Sequence, residues 1–183
     1  MSVHEVDCLL ESMNSTLELL DGPDDSDWQA RSLCRAVRVR QLVAHLDGIE
    51  EALSGWRPAG DAPGPFEIVG KVFDEVADWP PDQLLGRLGT VLAGRRSELL
   101  AADAKLFDEV SWTPVGVQTY GRFMAIRNFD FWVHEQDIRV PLGRPATRAD
   151  RPPNWPSTRC GAASGTSSAK APPCRTDPAC SSS

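Results

Sequence analysis

The sequence predicts an all-α protein: a four-helix bundle with one short extra helix over residues 1–143, followed by a disordered C-terminal tail, 144–183. Three observations predict it. Apolar residues recur at three- and four-residue spacings through five segments. Alternation with a period of two, the mark of strands, is nearly absent. Composition changes abruptly near Gly143.

The first segment, VHEVDCLLESMNSTLELL, places Val6, Leu9, Leu10, Met13, Leu17 and Leu20 at helical spacing. DGPDDSDW then breaks the helix, since Gly and Pro interrupt the hydrogen-bond ladder. VRVRQLVAHLDGIEEALSG puts Val39, Leu42, Val43, Leu46, Ile49 and Leu53 on one stripe. WRPAGDAPGP is a loop. PFEIVGKVFDEVADW is the short helix, with Pro65 suited to its start. PPDQLLGRLGTVLAGRRSELLAAD is a long amphipathic helix, in which Gly86, Gly89 and Gly94 each cost up to ~1 kcal/mol relative to alanine. After SWTPVG, a last long helix is expected from about Val117 to Val140, ended by Pro141 and Gly143. Four long helices and one short one fit a bundle with one or two longer connections.

The tail holds no Leu, Ile, Val, Met, Phe or Tyr. Such a segment buries too little surface to offset its ordering entropy. It carries four net positive charges, which leaves −11 on residues 1–143. The DNA of this tail, read one nucleotide earlier with GC-rich codons, can encode a helix-like spacing, a turn and a strand-like run. A frameshift near residue 145 that replaced an authentic C-terminal region is therefore an expectation, which the gene sequence tests. The net charge of −7 and pI near 4.9 point away from nucleic acid and from anionic membrane surfaces. No apolar run reaches the roughly 18–20 residues that cross a bilayer, and the N-terminus lacks the order of a signal peptide. Cys8, Cys34, Cys160, Cys174 and Cys180 are odd in number and form no CxxC pair, which argues against a disulfide framework and a cysteine zinc site. A cytoplasmic setting is expected.

The chemistry concentrates in RNFDFWVHEQDIR, residues 127–139. At 100° per residue, Phe123, Ile126, Asp130, Val133, His134 and Asp137 fall within an arc of about 100°, expected to face the bundle interior. An unpaired carboxylate is costly there, and a metal ion would compensate. Asp130 and His134 are four apart, with Cβ atoms about 6 Å apart on one face, so both can reach one cation. A third ligand must come from another helix. Of the three histidines, His4 lies at the terminus, while His45 lies beside the apolar stripe of the second long helix. Two histidines and one carboxylate leave a coordination position open, as in catalytic zinc sites, and suit non-haem iron equally. The competing reading has no metal: Asp130 pairs with Arg127, Arg95 or Arg96, and Asp137 with Arg139 is an ordinary ion pair.

Three stretches, DWQARSLCRAVRVRQLVAHLDGIEEAL, WRPAG and FDFWVHEQDIRVPLGRP, together resemble the mycothiol-dependent maleylpyruvate isomerase family, part of the DinB-like group of metal-binding four-helix bundles. WVHEQDIR followed by LGRP carries the resemblance most specifically, then VAHL, and it covers essentially residues 5–145. The resemblance implies that His45, Asp130 and His134 are the ligands of a divalent metal, normally zinc, and that mycothiol is the thiol cofactor. The best-known member has Glu where this chain has Asp130. Asp137 and Arg139 match the DIR of the motif and are expected to orient ligands or tie the helix to its neighbours. Where the family usually has a Pro-Gly-Trp-Thr-Val type of turn, Cys34 is followed by RAVRVR.

The implied mechanism is thiolate addition to a small electrophile. Addition to a cis double bond, rotation and expulsion of the thiol describe an isomerase; retention of the sulfur describes an S-transferase. The implied partners are a small-molecule thiol and an electrophilic substrate, with Arg95, Arg96 or Arg122 to receive a substrate carboxylate. Neither the electrophile nor the oligomeric state follows from the sequence. A non-catalytic metal-binding bundle, or an inactive truncated member of the family, is the alternative.

Overall fold

The computed structural model describes residues 3–34, 37–76 and 78–144. The expectations for the tail and for Arg35 fall outside these residues. Six α-helices are present among the described residues: α1 (Val3–Leu20), α2 (Asp25–Gln29), α3 (Val39–Leu53), α4 (Glu67–Val76), α5 (Pro81–Ala101) and α6 (Tyr120–Arg139). The four long ones, α1, α3, α5 and α6, form the bundle. None of the described helices is long and apolar enough to cross a membrane.

The apolar stripes become the core. Leu9, Leu10, Met13 and Leu20 of α1 meet Leu42, Val43, Leu46 and Leu53 of α3, Leu84, Leu88 and Leu92 of α5, and Met124 and Phe131 of α6 in one cluster. Helix α4 lies against α3. Gly48 permits that approach, because a Cβ there would stand 3.1 Å from the Val69 carbonyl oxygen.

Two segments differ from the sequence expectation. DGPDDSDW contains the short helix α2 as well as a break. The Asp24 carboxylate accepts from the backbone N–H groups of Ser26 and Asp27 at 2.8 and 3.0 Å, and the buried Trp28 anchors the turn. Helix α6 starts at Tyr120, not Val117, because the residues before it are taken by a hairpin. Strand β1 (Val110–Ser111) pairs antiparallel with β2 (Gln118–Thr119), and Gly116 turns between them with φ +99°. Thr119 then caps α6, its hydroxyl accepting from the Arg122 N–H at 3.1 Å. A 3-10 helix, Ala104–Asp108, leads from α5 into this hairpin.

The expected inward arc of α6 is also corrected. The buried row is Tyr120, Phe123, Met124, Arg127, Phe131, Glu135 and Ile138. Asp130, His134 and Asp137 stand on its half-buried flank, about a quarter turn around the helix. Solvation of the polar side chains selects this rotation, because aromatic and aliphatic groups gain more from burial than the acids can. The two faces of α6 make different contacts. Against α1 the backbones approach closely; toward α3 they stay farther apart, and long polar side chains span the gap.

Candidate metal centre

Three side chains from α3 and α6 meet at that gap. The rings of His45 and His134 meet edge to face, with centroids 5.5 Å apart and planes at 89°. His134 Nε2 is 3.6 Å from Asp130 Oδ1, and His134 Nδ1 is 3.1 Å from Asp137 Oδ2. With its proton on Nδ1 and donated to Asp137, His134 turns an Nε2 lone pair toward Asp130. A carboxylate that fixes a histidine in this way is the usual support of a metal-binding imidazole. The side chains of His134, Asp137 and Asp130 are 15%, 17% and 32% exposed, so each keeps contact with solvent.

Burial pushes the His45 pKa below its ordinary 6.5; the neighbouring His134 and, more weakly, Arg127 act in the same direction, against Asp130. A neutral imidazole at pH 7 is the form that donates a lone pair.

Asp130 is already engaged on its other oxygen. Arg127 Nη1 donates to Asp130 Oδ2 at 2.5 Å, and Arg127 Nε donates to Glu50 Oε1 of α3 at 2.9 Å. Arg127 Nη2 lies 2.8 Å from the same Glu50 oxygen without hydrogen-bond geometry, so this contact is Coulombic. Glu50 Oε2 accepts from Arg95 Nε at 3.2 Å, and Arg95 Nη1 donates to Glu98 at 2.6 Å and to the Leu53 carbonyl at 3.1 Å. The pairing of Asp130 with Arg127 is the arrangement of the metal-free reading.

Arg139, by contrast, ties α6 to α1: its Nε donates to Glu135 at 2.5 Å, and its Nη2 is 3.4 Å from the Ser15 hydroxyl. The expectation that Arg95 receives a substrate carboxylate is corrected, since it is 1% exposed and Glu50, Glu98 and Leu53 take its guanidinium. Arg96 lines a groove between α1 and α5, with Leu10, Met13 and Leu92. Arg122 is exposed in the first turn of α6. Neither touches His45, Asp130 or His134 among the described residues.

The donor set suits a divalent cation in kind: two imidazoles, one of them held neutral, and a carboxylate, with a second carboxylate orienting an imidazole. As they stand, no group of three or more His, Cys, Asp or Glu side chains among the described residues is arranged to hold a metal ion. Asp130 shares its charge with Arg127.

Glu50 was missed by the sequence reading, and Arg127 entered it only as a partner of Asp130, yet the burial of both had a signal. Glu50 stands four residues after Leu46 and seven after Val43, inside the stripe of α3; Arg127 stands four after Phe123 and four before Phe131. A charge within an apolar row points to a buried partner of opposite sign.

The family model for the mycothiol maleylpyruvate isomerase N-terminal domain matches residues 9–139. The chain belongs to this family. Among solved structures, a histidine-to-alanine mutant of the mycothiol-dependent maleylpyruvate isomerase superposes with a TM-score of 0.65 at 16% identity, over 82% of this chain and 67% of that one. The unmutated isomerase gives 0.64 at 17% identity over the same shares. YfiT from Bacillus subtilis, reported as a probable metal-dependent hydrolase with an unusual four-helix bundle topology, gives 0.61 at 15% identity, over 79% of this chain and 89% of that one. These likenesses establish the bundle fold. No curated protein matches the sequence.

Proposed function

We propose that this member of the family is a metal-dependent enzyme that uses mycothiol, acting on a small electrophile by thiolate addition as an isomerase or S-transferase. The observation that carries the reading is the meeting of His45, Asp130 and His134 on the open flank of the α3–α6 gap. Membership of the mycothiol isomerase N-terminal domain family supplies the thiol and the reaction class.

A divalent ion held by these residues, zinc in this reading, would lower the pKa of a thiol so that thiolate is available at neutral pH. His45 offers a neutral imidazole because its burial disfavours the proton. His134 is oriented by Asp137 on its Nδ1 side and turns its Nε2 toward Asp130. Asp130 contributes negative charge. None of the three is asked to act as a general acid or base. Substrate carboxylate recognition, if assigned to an arginine, falls to Arg96 or Arg122, which keep exposed side chains.

A specific observation favours a second reading, a bundle without metal in which the Arg127–Asp130 ion pair is the end state. The two are separated by assaying the zinc-loaded protein with mycothiol and a panel of electrophiles that includes cis-configured dicarboxylic acids. Turnover that depends on both thiol and metal, and is lost in His134→Ala, supports the enzyme. Bound metal without turnover leaves a non-catalytic metal-binding bundle, and an unchanged melting temperature in chelator favours the metal-free one.

A further inference from the structure

Aspartate has two chemically equivalent carboxylate oxygens, and the protein treats those of Asp130 differently. Oδ2 takes a hydrogen bond from Arg127 at 2.5 Å, while Oδ1 faces His134 Nε2 at 3.6 Å. Rotation about the last side-chain torsion only exchanges two equivalent oxygens, so one oxygen is held by Arg127 in either case. Arg127 is itself immobilised. Its Nε is held by Glu50 at 2.9 Å, its guanidinium lies 5.3 Å from the centre of the Phe131 ring, and its side chain is 5% exposed. Glu50 is fixed in turn by Arg95 on its other oxygen.

A cation beside a metal ligand ordinarily weakens metal binding by Coulomb repulsion. Here the Glu50 carboxylate, 1% exposed, stands against the same guanidinium and offsets part of its charge. Arg127 also brings to the site a directed N–H, and its fork geometry suits two carboxylates at once.

Resting on the metal reading above, we propose that Arg127, braced by Glu50, is a positioning residue for the metal centre: it occupies Asp130 Oδ2, so that Oδ1 alone is presented beside His134 Nε2. Asp130 is thereby a one-oxygen ligand. That matters for an aspartate, which is a methylene shorter than glutamate and has little freedom to correct its aim.

The test is metal affinity, read by competition of Zn2+ and Co2+ against a chromophoric chelator, without substrate or thiol. Arg127→Lys keeps the charge facing Glu50 but cannot span both carboxylates. It should lose roughly 10- to 100-fold in affinity, and the visible band of bound Co2+ should weaken as both Asp130 oxygens become available. Glu50→Gln, which loosens the brace, should show a smaller loss. Arg87→Lys is the control for damage to the bundle alone. It disturbs another ion pair to α3, in which Arg87 Nε donates to the fully buried Asp47 at 2.7 Å, and it should leave metal affinity unchanged. Circular dichroism establishes that each variant is folded. Affinity in Arg127→Lys equal to or tighter than that of the unaltered protein overturns the proposal and makes Arg127 a mere competitor for Asp130. Failure of the unaltered protein to bind either ion overturns the metal reading and this inference with it.

Discussion

Two polar layers join α3 to α6, one or two turns apart, and they are built on opposite principles. Around Glu50 the charges are deeply buried and matched: Arg95 and Arg127 face Glu50, and each reaches a second acid, Glu98 or Asp130. Around His134 the groups are half-exposed, one imidazole is held neutral by burial, and the 3.6 Å between His134 and Asp130 is too long for a strong hydrogen bond. The first layer spends most of its bonding capacity within the protein. The second keeps lone pairs in reserve. The difference teaches that a polar helix interface need not be uniform: one layer fixes the distance between the helices, and its neighbour keeps donors available for a ligand.

Damage to the matched layer should therefore be the most costly to stability. Glu50→Ala strands two buried guanidinium groups, and its unfolding free energy should fall by about 3–5 kcal/mol in chemical denaturation. A loss below ~1 kcal/mol would mean that the layer is hydrated and not a true core feature. The reserved layer should respond instead to added metal. Zinc at a hundredfold excess over its dissociation constant should stabilise the protein by about 2.7 kcal/mol, read as a rise in melting temperature that chelator reverses.

His134→Ala should abolish that rise, yet cost the metal-free protein only about 1 kcal/mol. The opposite pattern would place His134 in the structural layer. The smallest effect concerns pH. The His45 pKa is lowered in the folded state, so the unfolded chain takes up the proton more readily. The stability this gives is fully present above 6.5 and is lost as pH falls through the folded value. In chelator, the melting temperature should therefore drop more steeply between about pH 7 and pH 5 for the unaltered protein than for His45→Ala.

The sequence made the helices legible because their apolar spacing repeats over many turns; α1 and α3 are clear examples. It hid α2 and the hairpin before α6, since each depends on a few hydrogen bonds, the Asp24 cap and the two-residue pairing of Val110 with Thr119 and Ser111 with Gln118. The family was legible from WVHEQDIR and VAHL, and the matched domain confirms it. Helix rotation was not. Ile126 and Val133 drew the expected core face toward Asp130, whereas Phe123, Met124, Arg127 and Phe131 form the buried row. Periodicity ranks residues by polarity and has no means of seeing that a buried arginine can be satisfied by a glutamate 77 positions away.

The claim on which the rest depends is that His45, Asp130 and His134 share one ion. Elemental analysis of protein purified without chelator, or reconstituted with zinc and desalted, tests it most directly. The unaltered chain should retain one equivalent of divalent metal per chain, and His45→Ala, Asp130→Ala and His134→Ala should each retain close to none while remaining folded. Metal absent from the unaltered chain, or one equivalent kept by any of the three variants, would contradict the account.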